Sequence, residues 1–243
     1  MFGIPETTDF DLNFRVLGIP VRVHPFFWGI MALLGWSDGN YQSMLVFVGC
    51  AFVSILAHEL GHGLTSKSFG SRPSIVLYGM GGLCYSDIEH QSPWKRLAVL
   101  FAGPGAGLLI FAVINFGLLE TGLIRWEQLR DNPIALEVLT SMLWINLVWS
   151  IVNLFPIWPL DGGQITGVVL GMASRRNGMR WAHVASLLVA GGLAAFLFSR
   201  NQQINAMFCA YLGLINFQRL QALHQHSRYG GFGGDEDGDW WRK

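Results

Sequence analysis

Apolar residues fill this chain in long runs separated by short polar patches, and the pattern predicts six membrane-spanning segments. They run from about Val23 to Trp36, Tyr41 to Ser66, Trp94 to Leu119, Asn132 to Phe155, Trp181 to Phe198 and Asn205 to Leu223. A helix needs about 20 mainly apolar residues to cross the hydrocarbon core, so the first and fifth runs are short. Another apolar piece, Gly162 to Met172, is too short to span and reads as a half-helix or re-entrant segment. Arg72 to Glu89 breaks the pattern. Its sequence, RPSIVLYGMGGLCYSDIE, mixes β-formers with Gly79, Gly81 and Gly82, and predicts one or two short strands joined by a glycine turn at the cytoplasmic face. The fold class expected is an all-α polytopic membrane protein: a six-helix transmembrane bundle with a short membrane-associated β segment.

Composition agrees with that reading. Of 243 residues, 51% are hydrophobic and 13% charged, against about 25% charged in an ordinary soluble domain. There are too few charges to cover a water-facing surface. The basic residues also fix a direction. With both termini in the cytoplasm, thirteen of the sixteen Lys and Arg fall on the inside, leaving Arg125, Arg130 and Arg200 outside, as the positive-inside rule demands. An even number of spans is needed to keep that asymmetry. The formal net charge is zero, and no basic patch points to nucleic acid. Cys50, Cys84 and Cys209 are scattered and odd in number, with no disulfide framework or CxxC metal site.

The N-terminus, MFGIPETTDFDLNFR, has acidic residues where a signal peptide would be basic and no apolar run directly after it, so the first span is expected to be retained. From about Arg228 the tail is glycine-rich and acidic, and is expected to be disordered. The chain divides into a cytoplasmic N-terminal segment over 1–22, a catalytic transmembrane core over 23–172, two C-terminal transmembrane helices over 173–224 and a flexible acidic tail over 225–243.

The strongest motif is His58-Glu59-Leu60-Gly61-His62, set within an apolar helical stretch. Residues four apart share a helix face, so both imidazoles reach one metal ion. Glu59 follows the first histidine, where zinc peptidases with this spacing carry their general base. A glutamate and two histidines inside an apolar helix are costly to insert and have no simple packing use. Catalytic zinc usually takes three protein ligands, and the candidate for the third is Asp161, in Asn153-Leu-Phe-Pro-Ile-Trp-Pro-Leu-Asp-Gly-Gly. Pro156 and Pro159 break the fourth span, and such a break at membrane depth is tolerated where it lines a cavity. The plainer reading of Asp161 is a cap on a helix that starts at Gly162. Among the other histidines, His24 reads as a packing or interfacial residue, and His90, His183, His224 and His226 read as solvated.

HELGH together with NLFPIWPLDGG resembles the site-2 protease family of intramembrane zinc metalloproteases. Val23-His24-Pro25-Phe26 and Phe101-Ala-Gly-Pro-Gly-Ala-Gly107 are similar to two further family segments, and the likeness covers roughly residues 20 to 172. Gly107 stands where many relatives have Asn or Ser. The resemblance implies one catalytic Zn2+ held by His58, His62 and Asp161, Glu59 as catalytic glutamate, and Asn153 as a residue that positions substrate or polarises its carbonyl. It also implies that the strand-like region offers an edge to an extended substrate. The loop from about Glu120 to Asp131 is too short for a PDZ domain, and about twenty residues follow the last span, too few for a CBS pair. A minimal, core-only member is expected, with regulation by an external partner.

The expected activity is endoproteolysis of transmembrane segments in membrane-anchored substrates, in a bacterial inner membrane; oligomeric state and substrate identity are left open. Two other readings exist. A membrane zinc protease for prenylated or soluble peptides commonly takes a Glu from another helix as third ligand, where this chain offers Asp161 in a proline–glycine break. A zinc transporter or inactive scaffold would need further intramembrane ligands, and the sequence carries no second cluster.

Overall fold

The computed structural model describes residues 6–36, 40–79, 81–86, 92–125, 127, 129, 131–175 and 177–229. Among these, seven helices and one four-stranded sheet form. In chain order the elements are β1 (Leu12–Val16), β2 (Ile19–Val23), α1 (Pro25–Gly35), α2 (Tyr41–Ser68), β3 (Ser74–Tyr78), β4 (Gly81–Tyr85), α3 (Pro93–Ala112), α4 (Pro133–Asn153), α5 (Asp161–Ala173), α6 (Gly178–Ser199) and α7 (Gln203–Tyr229). A π-helical turn, Val113–Leu119, prolongs α3.

Four helices are long and apolar enough to cross a membrane by length and composition: Tyr41–Ser68, Pro93–Leu119, Pro133–Asn153 and Gly178–Ser199. The expected count of six does not follow. The first helix has only 11 residues, because the apolar run that begins at Val23 starts as strand. The last helix is long enough, but Asn205, Asn216, Gln218 and Arg219 interrupt its apolar character. It runs to Tyr229, and residues 230–243 of the expected acidic tail lie outside the described residues, as do His90, Glu89 and the side chain of His226.

The chain divides into two compact units, Met1–Ile88 with Ala102–Ile151, and Glu89–Phe101 with Val152–Lys243. The first holds the sheet, of order β1-β2-β3-β4. β1 and β2 form an antiparallel hairpin around Leu17 and Gly18, both at positive φ. β2 and β3 are parallel, with Val21 opposite Ile75 and Val23 opposite Leu77. β3 and β4 are antiparallel, with Ile75 opposite Cys84 and Leu77 opposite Gly82. The sheet is therefore larger than the one or two strands expected: β1 and most of β2 lie in the N-terminal segment 1–22, where no strand was expected. The alternation Ile19, Val21, Val23 is the signal of that strand. These side chains and Ile75 and Leu77 bury one face of the sheet against Phe27 and Met31 of α1 and Ala51 and Ile55 of α2. Each such burial is worth about 1.5–3 kcal/mol.

Local chemistry starts the helices. The His24 Nδ1 accepts from the Phe26 N–H at 3.1 Å ahead of Pro25, so His24 is a cap, with its ring edge-on to Tyr78. The Asn40 Oδ1 accepts from the N–H groups of Gln42 and Ser43. In the second unit α5 packs on α6, and α6 on α7, around Ile157, Ala190 and Leu212.

Candidate metal centre

Ser54, His58, His62 and Ser66 stand four residues apart on α2 and all four are buried. That spacing puts them on one helix face. The rings of His58 and His62 lie nearly perpendicular, at 81° with centroids 4.9 Å apart. Their Nε2 atoms face each other at 3.2 Å. Two zinc–nitrogen bonds of 2.0–2.1 Å at a tetrahedral angle hold their nitrogens about 3.3 Å apart. The spacing of this imidazole pair therefore fits zinc, and neutral imidazole is a ligand zinc favours.

Glycines make room on both sides of the motif. A Cβ at Gly103 of α3 would collide with the Nε2 edge of His62. A Cβ at Gly82 of β4 would collide with the side chain of Glu59. Thus the Gly-Pro segment of α3 backs the second histidine, and β4 runs directly beside the glutamate. Glu59 is 5% exposed, a carboxylate kept from bulk water beside the imidazole pair.

Asp161 sits in the second unit as the first residue of α5, and is 8% exposed. It does not cap that helix: the N-cap position belongs to Leu160, and no side-chain cap bond forms there. The chain reaches it through the break after α4, where Phe155, Ile157 and Leu160 N–H groups bond to carbonyls two or three residues back. Cβ atoms at Gly162 or Gly163 would collide with the backbone of Leu154 and Trp158 respectively, so these glycines let the break fold back on the helix start. His58, His62 and Asp161 make up a group of buried metal-donor side chains, each with a ligand atom within 4.8 Å of the others. Two imidazoles and one carboxylate are a donor set that suits zinc. Asn153 is the last residue of α4 and is buried at 9% exposure.

Some polar residues escaped the sequence reading. In the first unit the Asn146 Nδ2 of α4 donates to the Ser54 Oγ at 2.9 Å and to the Met142 carbonyl at 2.8 Å. Ser150, one turn on, is also buried. In the second unit His183 is 3% exposed, not solvated as expected. Its Nδ1 meets the Asn216 Oδ1 at 2.8 Å. The readable signal was an Asn and a His within apolar helices, where polar groups need partners. His224 is exposed as expected, and the three cysteines are free thiols.

Fold and site together define a polytopic membrane protein with a buried cluster of metal-ligand side chains. The model of peptidase family M50 matches residues 46–123 and 122–199. The chain belongs to that family, the site-2 proteases, and is an integral membrane protein. It is 28% identical over 228 residues to Rip3 of Mycobacterium tuberculosis, covering 84% of this chain and 56% of Rip3. It is 34% identical over 149 residues to stage IV sporulation protein FB of Bacillus subtilis, covering 60% of this chain and 46% of that one. Zinc metalloprotease MJ0392 of Methanocaldococcus jannaschii is 29% identical over 161 residues, 65% of this chain and 44% of that one. The chain spans about half the length of the curated relatives it matches. In three dimensions it is similar to the site-2 protease from Methanocaldococcus jannaschii, with a TM-score of 0.53 and 22% identity over 93% of this chain and 99% of that one. At that identity the likeness concerns the fold.

Proposed function

We propose that this chain is a zinc metalloendopeptidase that cleaves transmembrane segments of membrane-anchored proteins. The observation that carries it is the facing Nε2 pair of His58 and His62 at 3.2 Å with the buried Glu59 between them in sequence. A relative of this chain also carries the name zinc metalloprotease. His58, His62 and Asp161 are the ligands, and Glu59 is the general base.

Zinc, when bound, supplies a Lewis acid that acidifies water and polarises the scissile carbonyl. Glu59 takes the proton of the attacking water, then delivers it to the leaving amide nitrogen. Its burial among apolar helices keeps that carboxylate from being screened by bulk water. Asn153 orients the substrate peptide through its amide. A transmembrane helix hides its carbonyls in hydrogen bonds, so the substrate must open locally before attack. β4 ends the sheet, and it passes beside Glu59. An opened segment pairing with its outer edge is held extended next to the base. The region 23–172 is then the catalytic core.

Glu59→Gln tests the assignment. The amide is nearly isosteric but accepts no proton, so zinc content stays and cleavage of a transmembrane substrate by detergent-purified protein falls about 10²–10⁴-fold. Near-normal cleavage by the zinc-loaded variant would show that another group activates the water.

The membrane is a bacterial inner membrane, both termini are cytoplasmic, and an external partner regulates access; the basic-residue asymmetry supports the orientation. In a cysteine-free background, an impermeant thiol reagent applied to intact cells should label a cysteine at Thr121 and spare one at Ser174. The reverse pattern rejects the orientation.

A further inference from the structure

The break between α4 and α5 is held by side chains that lie far along the chain. Trp158 stands three residues before Asp161. Its N–H donates to the Ser186 Oγ at 3.0 Å, and its carbonyl accepts from the Asn216 Nδ2 at 2.7 Å. Ser186 belongs to α6 and Asn216 to α7, and both are fully buried at 0% exposure. Each clamp is itself fixed. The Ser186 hydroxyl donates to the Ala182 carbonyl at 2.8 Å. The second Asn216 N–H donates to the Leu212 carbonyl at 2.8 Å. With both amide hydrogens committed to carbonyls, the Asn216 Oδ1 accepts, so the His183 Nδ1 facing it at 2.8 Å carries a hydrogen and donates. The His183 ring also meets the Trp158 ring edge-on, with centroids 5.6 Å apart. One carbonyl further on, Pro159 accepts from the Gln164 Nε2 at 3.1 Å.

Backbone in a broken helix among apolar surroundings has no water to fall back on. Here both polar groups of one peptide residue are bound by a closed network of three side chains. The network joins a residue of the break to the last two helices, and Asn216 lies beyond the residues matched by the family model.

We propose that Asn216, supported by His183 and together with Ser186, is a positioning residue for Asp161. By holding Trp158 from both sides, the network fixes the backbone that leads into α5 and so sets where the Asp161 carboxylate stands. The last two helices then contribute to metal affinity without supplying a ligand. This rests on the reading of Asp161 as a zinc ligand.

The test is a double-mutant cycle on the full chain in detergent, with the zinc dissociation constant measured by chelator competition and thermal unfolding followed on the same samples. Supporting groups behind ligands typically contribute about 10–100-fold in metal affinity. Asn216→Leu should weaken zinc by about tenfold when Asp161 is present, and by less than about twofold in an Asp161→Ala background, because the two residues act through one interaction. Equal weakening in both backgrounds, or none in either, overturns the proposal. If Asn216→Leu shows no unfolding transition, Ser186→Ala is put through the same cycle and must show the same dependence on Asp161, with a smaller factor. His58→Ala is the separate control: retention of full zinc there would strike the metal assignment itself and leave the clamp geometry untouched.

Discussion

The two halves of the candidate site are built in opposite ways. His58, Glu59 and His62 ride on a single regular helix of 28 residues. Their mutual geometry comes from the 3.6-residue period, and any sequence that makes that helix makes that pair. Asp161 follows an irregular break, and its place depends on Trp158, Ser186, His183 and Asn216, the last of them 55 residues away in sequence. The helical half is locally encoded. The half that follows the break is encoded by tertiary contacts. Loss of a supporting hydrogen bond should leave the first in place, whereas the second can be displaced by such a loss on a distant helix.

The largest expected effect tests whether both halves hold one ion. Replacing His62 or Asp161 by Ala should remove stoichiometric zinc, measured by elemental analysis after dialysis, since each loss leaves two ligands. Full zinc in Asp161→Ala would take Asp161 out of the ligand set.

How much of this could be read in advance follows the same division. HELGH is legible because its meaning is carried by a spacing of four on one helix, and the structure puts those imidazoles face to face. The proline–glycine break was legible as a break, because Pro156, Pro159, Gly162 and Gly163 each have a strong local preference. Its supports were not. Nothing near Asn216 in sequence announces that its amide will hold the Trp158 carbonyl, and His183, taken for a solvated residue, is buried. The sheet was half seen for a related reason. Gly79, Gly81 and Gly82 mark the β3–β4 hairpin locally, but β2 joins β3 as a parallel neighbour across about fifty residues of chain. Parallel pairing leaves no turn signature. The count of six spans is not confirmed at the two ends of the chain: α1 has 11 residues, and α7 carries the buried Asn216.

A middle-sized effect probes how tightly the helical half is packed. Gly103→Ala places a methyl where the His62 ring edge stands. Overpacking of this kind costs about 1–3 kcal/mol, and here it should appear in the geometry of the ligand pair. Zinc affinity should fall about tenfold or more, with the visible spectrum of the cobalt-substituted protein altered. Gly105→Ala, where an added Cβ meets nothing within 4 Å, is the matched control and should do neither. Equal behaviour of the two variants would mean that His62 is free to shift, and that the helix period alone does not fix the pair.

The smallest effect belongs to Ser54, which lies one turn before His58 on the same buried face. Its hydroxyl accepts from Asn146, but that amide keeps a second acceptor in the Met142 carbonyl at 2.8 Å. Ser54→Ala thus leaves one of the two Asn146 amide hydrogens bonded, and also removes the weak donation from the Ser54 Oγ to the Met142 Sδ at 3.7 Å. Hydrogen bonds between membrane helices average about 0.6 kcal/mol, so a loss of that order in unfolding free energy is expected. Zinc affinity should not change. If the helical half is locally encoded, His58 and His62 take their places from the backbone of α2 and not from a neighbour on α4. A zinc loss in Ser54→Ala comparable to that of Asn216→Leu would contradict this. It would mean that the histidine pair, like Asp161, depends on a side-chain network, and the difference between the two halves would be one of distance along the chain alone.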